Sequence, residues 1–204
     1  MLETLTPERI GGRLYRLANM RRRLEALSVL GMASSDLDEV LRFLDGDGDA
    51  NELLDAPSRF DPSFRPAPTG FSDGSWRVFY GTLDWETAEA EVGYHVLKAA
   101  EGSAHALFYQ RMECTLDGVG YDFRPQASVW PFLTNTVEVE AYPACQALAR
   151  EARASGADGL LTRSARRPEG ANAPVFNRAA LSDPKIVGSA AILPDASGWR
   201  VERR

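Results

Sequence analysis

Apolar residues recur with a three-to-four-residue period along Ala88, Val92, Val96 and Ala99, and this predicts an amphipathic helix with one buried face. Asp84 precedes it as a capping carboxylate, and Glu86 in its first turn suits the positive end of the helix dipole. A short aromatic and β-branched run, Trp76 to Tyr80, comes just before and reads as a strand fed by a turn-rich loop of Gly70, Ser72, Asp73 and Gly74. Glu91 falls at the edge of the apolar stripe, with His95 one turn further along the same face. A helix that aims a carboxylate back over a loop makes a candidate small-molecule site.

Nearer the N-terminus, Thr6-Pro7-Glu8 reads as a helix start, and Ile10, Leu14, Leu17, Leu24 and Leu27 hold one face of the expected helix. Arg21, Arg22 and Arg23 sit on its solvated side. A second helix opens at Ser35 and is carried by Leu37, Val40, Leu41 and Leu44, so that residues 1–52 are expected to form a helical hairpin and linker. The acidic run Asp45 to Asn51 imitates a calcium loop, but its sixth and twelfth positions are Ala50 and Ala56, where an EF-hand needs glycine and glutamate. Four prolines between Pro57 and Pro68 predict an irregular arm carrying Arg59 and Arg65.

Beyond the central stretch, Ala104 to Cys114 is a predicted strand, Tyr121 to Val139 loops with short strand pieces, and Pro143 the start of a helix stopped by Ser155-Gly156. Gly159 to Thr162, Ala173 to Phe176 and Lys185 to Leu193 supply further strands, and Trp199 to Arg204 a frayed tail. Strands and helices do not alternate regularly, which points to an α+β fold: a compact mixed sheet with flanking helices in residues 53–204, plus the N-terminal hairpin.

Composition narrows the function. The 204 residues are 44% hydrophobic and 25% charged, as in a soluble globular chain with a full core. A net charge of −6 argues against direct nucleic-acid binding, and no apolar run predicts a membrane span. Cys114 and Cys145 lie among apolar neighbours and read as reduced core residues, so a cytoplasmic location is expected. There is no dinucleotide-binding glycine motif, no phosphate-binding loop and no nucleophile elbow, and only two histidines are available for a metal. No metal cofactor is expected. The chemistry left to the chain rests on arginines, a tyrosine, a glutamate and a serine.

Two segments carry a family resemblance. Gly70-Phe71-Ser72-Asp73-Gly74, Val78-Phe79-Tyr80-Gly81 and Glu86 to His95 resemble the first signature of RES domains. Ala154 to Gly159, followed by Ser164-Ala165-Arg166-Arg167-Pro168-Glu169-Gly170-Ala171-Asn172, resembles the second. The resemblance covers roughly residues 56–193 and implies a fold similar to ADP-ribosyltransferases. It also implies a toxin that degrades NAD by hydrolysis or phosphorolysis, or that transfers ADP-ribose to a protein. Such toxins are neutralised by an Xre-like helix-turn-helix antitoxin, and a homodimer within that complex fits the same resemblance.

On this basis Glu91, Arg59 and Ser164 are the candidate catalytic residues. Tyr80, Arg65, Asn172 and His95 are the candidate NAD-binding residues. An aromatic ring such as Tyr80 can stack on nicotinamide, arginine can grip phosphate through two donors, and a carboxylate can stabilise a ribosyl cation. Arg166 and Arg167 are expected to face solvent, with at most one turned toward a phosphate. The sequence departs from the family at Gly70, where relatives carry arginine, and at Thr162-Arg163 before the serine. A catalytically impaired RES-fold binding module is therefore the reading of a different class.

Overall fold

The computed structural model describes residues 2, 5–19, 68–99, 107–195 and 198–203. Its core is a mixed sheet of strands β1 (Glu8–Asn19), β2 (Phe79–Thr82), β3 (Leu107–Asp122), β4 (Gly159–Arg163), β5 (Ala171–Val175), β6 (Leu181–Asp195) and β7 (Gly198–Arg203). The helices against it are α1 (Trp85–Ala99), α2 (Trp130–Leu133) and α3 (Glu138–Ala154), with a short 3₁₀ turn at Arg178–Ala180. The α+β class expected from the sequence is thus present.

The strands run in the order β1-β2-β5-β4-β3-β6-β7, and β1 also pairs with β3. That second pairing closes β1, β2, β5, β4 and β3 into a ring, while β6 and β7 extend from the early half of β3. The β3–β4 pair is parallel and the others are antiparallel. Ile10, Leu14, Phe79, Met112, Leu116, Leu161 and Val175 form one apolar cluster of the ring strands. A second lies under α3, built on Tyr121, Phe123, Leu148, Ala149, Ala152 and Leu160. A third joins α1 to β6 and β7 through Ala88, Val96, Tyr109, Ala190 and Ile192.

The helix expected from Thr6 is overturned where it is described. Residues 8–19 are strand β1, paired antiparallel with β3 from Glu8↔Gly120 to Asn19↔Tyr109. Ile10 and Leu14 are four residues apart, which places them on one face of a helix and equally on one face of a strand. Gly11 and Gly12 weaken any helix, and Gly12 takes a φ of +137°, which no helix accommodates. The pairing with β3 decides the outcome. The rest of the hairpin, Arg21 to Arg23, the acidic run 45–51, the arm with Arg59 and Arg65, and the expected boundary at residue 52 lie outside the described residues.

Three smaller differences have local causes. β3 runs through Asp117 and Gly118, because β1 pairs with both, Gly11 opposite Asp117 and Ile10 opposite Gly118. Helix α3 begins at Glu138, a full turn before Pro143; Asn135 Oδ1 accepts the Val137 N–H at 2.8 Å and steadies its entry. The expected C-terminal tail is strand β7. Trp199 packs beneath α1, and Arg203 grips Glu89 of α1 through two bonds of 2.6 and 2.5 Å. Among the described residues no helix is long and apolar enough to cross a membrane.

Candidate functional site

Helix α1 starts where the sequence placed it. Asp84 Oδ1 accepts the Thr87 N–H at 2.7 Å and the Thr87 hydroxyl at 2.8 Å, so the first turn is capped by its own carboxylate. Two turns later Glu91 stands over the ends of β4 and β5. Its Oε1 accepts from Ser164 Oγ and from Asn172 Nδ2, both at 2.7 Å. Three expected site residues, separated by 73 and 81 positions in sequence, meet at one carboxylate oxygen.

The loop from Ser164 to Gly170 is closed by its own backbone. Ser164 N–H donates to Gly170 O, and Gly170 N–H donates to Arg167 O, each at 2.9 Å. Ser164 Oγ in turn accepts from the Arg166 and Arg167 N–H groups at 3.0 and 3.1 Å. With two donors already pointing at it, the hydroxyl spends its proton on Glu91. Arg167 pins the loop to α1, reaching Asp84 Oδ1 at 3.0 Å and Thr87 Oγ1 at 3.2 Å.

The carboxylate they position faces a cavity of about 390 Å³. Glu91, His95 and Asn172 line it, as do Tyr80 and Gly70. Tyr80 serves the opposite wall. Its hydroxyl shares a 2.7 Å bond with Thr69 Oγ1 and accepts the Phe71 N–H at 3.0 Å, while burial pushes its pKa up to about 12. The ring is a cavity wall and the hydroxyl is the anchor of the Thr69–Phe71 turn. His95 is held below its ordinary pKa, chiefly by desolvation, with Glu138 and Glu91 pulling the other way. Of the seven candidates, Glu91, Ser164, Asn172, Tyr80 and His95 are gathered around the cavity; Arg59 and Arg65 fall outside the described residues.

Several residues of the site were not singled out by sequence reasoning. Arg16 of β1 lines the cavity and donates from Nη1 to Tyr80 O at 2.7 Å. Its signal was a lone arginine inside the apolar run Leu14 to Leu17, hidden by the helical reading of that segment. Glu138 and Tyr142 of α3 complete the wall. Lys98 Nζ donates to Glu138 at 2.5 Å and holds that carboxyl below the usual range, while burial raises Tyr142 to about 12.

Arg166 corrects an expectation. It does not face solvent: its side chain is only 10% exposed, and its guanidinium carbon lies 3.4 Å from the centre of the Tyr94 ring. The turn made by Pro168 to Gly170 folds the loop back on α1 and carries Arg166 with it. Cys114 and Cys145 are buried free thiols, and burial raises their pKa values to about 11 and about 12.

The arrangement offers one carboxylate held by neutral donors, arginines on two sides and an aromatic wall. It can bind a ligand with both cation-forming and anionic parts. A search of curated proteins found no match to the chain. The RES domain family model matches residues 49–196, which span both signature segments and every element from β2 to β6. RES domains are associated at family level with NAD-processing enzymes, and they generally pair with an antitoxin in toxin–antitoxin systems. This chain belongs to the RES domain family.

Proposed function

We propose that the chain is a RES-type toxin that consumes NAD by cleaving the bond between nicotinamide and ribose. The observation that carries this reading is Glu91, a carboxylate in the cavity wall held through one oxygen by Ser164 and Asn172. When the bond from ribose C1′ to the pyridinium nitrogen breaks, its electron pair leaves with neutral nicotinamide, and the ribose becomes an oxocarbenium ion. A fixed carboxylate lowers the energy of that cation more than that of the ground state. Water then adds at C1′ and loses a proton, giving ADP-ribose; phosphate or a protein side chain taking the place of water gives phosphorolysis or ADP-ribosyl transfer.

In this reading Ser164 and Asn172 orient Glu91, Tyr80 supplies an aromatic surface for nicotinamide, and Arg16 faces the phosphates. Arg59 and Arg65 stay as proposed phosphate or ribose ligands, within an ADP-ribosyltransferase-like active site. The partner is an Xre-like helix-turn-helix antitoxin that covers the cavity. Val137 and Val139, 47% and 82% exposed at the start of α3 beside Glu138, offer it an apolar foothold. The setting is the cytoplasm, with the toxin free to dimerise within the complex.

The test is incubation of the purified chain with NAD, with products identified by mass spectrometry. Release of nicotinamide with ADP-ribose, its phosphorylated form or a modified protein supports the reading and separates its three branches. One observation favours a second reading, a binding module without turnover: the cavity wall carries Gly70 at the family's arginine position. NAD that binds and is recovered intact would support that module instead.

A further inference from the structure

We propose that Arg166 is the residue through which this cavity selects a substrate bearing phosphate groups over one that ends in a free ribose hydroxyl. The inference rests on the reaction proposed above and names what that site recognises. Its basis is a buried guanidinium that the described residues leave poorly satisfied. Arginine has five N–H donors in a rigid fork. Arg166 spends one on Thr136 O at the long distance of 3.4 Å, and its nearest carboxylate oxygen, on Glu138, is 3.7 Å away. Among the described residues its Nε is buried and meets no acceptor.

Neighbouring Arg167 shows what a structural arginine looks like in the same loop, with bonds to Asp84 and Thr87. Arg166 differs in every respect that matters for binding. It lines the cavity, nine-tenths of its side chain is out of solvent, and its guanidinium carbon rests 3.4 Å from the centre of the Tyr94 ring. A cation kept so far from water with so few acceptors is costly unless a ligand completes it.

Glu138 does not complete it. Lys98 engages its Oε2 at 2.5 Å, while its Oε1 stands 3.7 Å from Arg166 Nη2, an ion pair too long for a hydrogen bond. That division has a use. An arriving anion can take the Arg166 fork while Lys98 stays paired with Glu138. His95, lowered by desolvation, adds no charge here near neutral pH.

The nature of the anion follows from Glu91. An oxyanion cannot sit against that carboxylate, so the ligand must place its cation-forming sugar at Glu91 and its negative group on the Arg166 side. Phosphate oxygens match a two-donor fork, which a point charge such as lysine would not reproduce. A dinucleotide has both parts. Nicotinamide riboside has the same scissile bond and lacks the phosphates.

The experiment compares the wild type, Arg166→Ala and Arg166→Lys on NAD and on nicotinamide riboside. Expected is a KM for NAD about tenfold or more higher in the alanine variant, with less than about a threefold rise for the riboside. Arg166→Lys should recover only part of the loss. Equal rises on both substrates, or no rise on NAD, would overturn the proposal. If the wild type cleaves neither substrate, the reaction reading fails, and calorimetry with ADP-ribose decides this one by itself. ADP-ribose bound by the wild type and lost in Arg166→Ala supports the phosphate subsite; equal binding by both, or none by the wild type, sinks it.

Discussion

Glu91→Gln removes one charge at the centre of the site and leaves its scaffold standing. Ser164 and Asn172 both donate to Oε1, each at 2.7 Å, and a glutamine can present its amide oxygen at that position. Both bonds then survive as neutral ones. A bond to a charged group contributes roughly 1.5–3 kcal/mol and a neutral one about 1, so the loss is about 1–2 kcal/mol each before any offset. Relief from burying a carboxylate offsets part of this. The net should be about 1–2 kcal/mol, or a Tm lowered by about 2–8 °C for a chain of this size. The transition state loses far more. A carboxylate about 4 Å from a unit positive charge at an effective dielectric of about 20 is worth about 4 kcal/mol, or about a thousandfold in kcat. Nicotinamide release measured at saturating NAD, beside a thermal melt of the same preparation, separates the two effects. A folded Glu91→Gln variant whose kcat stays within about tenfold of wild type would refute the assignment of Glu91.

Gly170→Ala should damage stability and turnover together, because its Cβ would lie 2.2 Å from Thr87 Oγ1, the atom that helps hold Arg167. A loss of about 1–3 kcal/mol in urea unfolding is expected, and a variant as stable as wild type would contradict the packing. Gly70→Ala is the opposite case. Its Cβ would meet only the Tyr142 ring, at 3.6 Å, so stability should hold or rise by about 0.4–1 kcal/mol, and a clear loss would show strain at this turn. Asp73, lowered to about 2 first by the Ser75 hydroxyl and then by Arg150, gives the pH prediction. Its folded pKa lies below the unfolded value of about 3.9, so its contribution is present above about pH 4 and is lost as pH falls toward 2. The stability gap between wild type and Asp73→Asn, followed by circular dichroism, should therefore shrink over that window; a constant gap would refute it.

Local chemistry explains what could be read from the chain. The Asp84 cap and the apolar stripe of α1 are specified within a few residues of themselves, and each stands where the sequence put it. The α+β class followed from the same signals. β1 was illegible because Ile10 and Leu14 suit either period, and its actual partner lies about a hundred residues away. Misreading β1 also concealed Arg16. Arg166 looked like one of a pair of solvated charges, since nothing near it in sequence announces the Tyr94 ring across the loop. β7 reads as a tail until Trp199 is seen against Gly93, where an added Cβ would collide with the indole at 2.2 Å.

The ring of strands makes the site a late product of synthesis. β1 leaves the ribosome before β3, and its pairing partners there lie about a hundred positions downstream, with Arg9 and Asp117 separated by 108. Glu91 must then await Ser164 and Asn172. Contacts of this range must overcome loop-closure entropy before they contribute anything, so folding is slow compared with a helical chain of equal size. A nascent chain therefore carries the pieces of the cavity long before it carries the cavity. Any protein that recognises the finished wall meets it only once β5 has been made, and a chain cut short before Asn172 is a chain without the site.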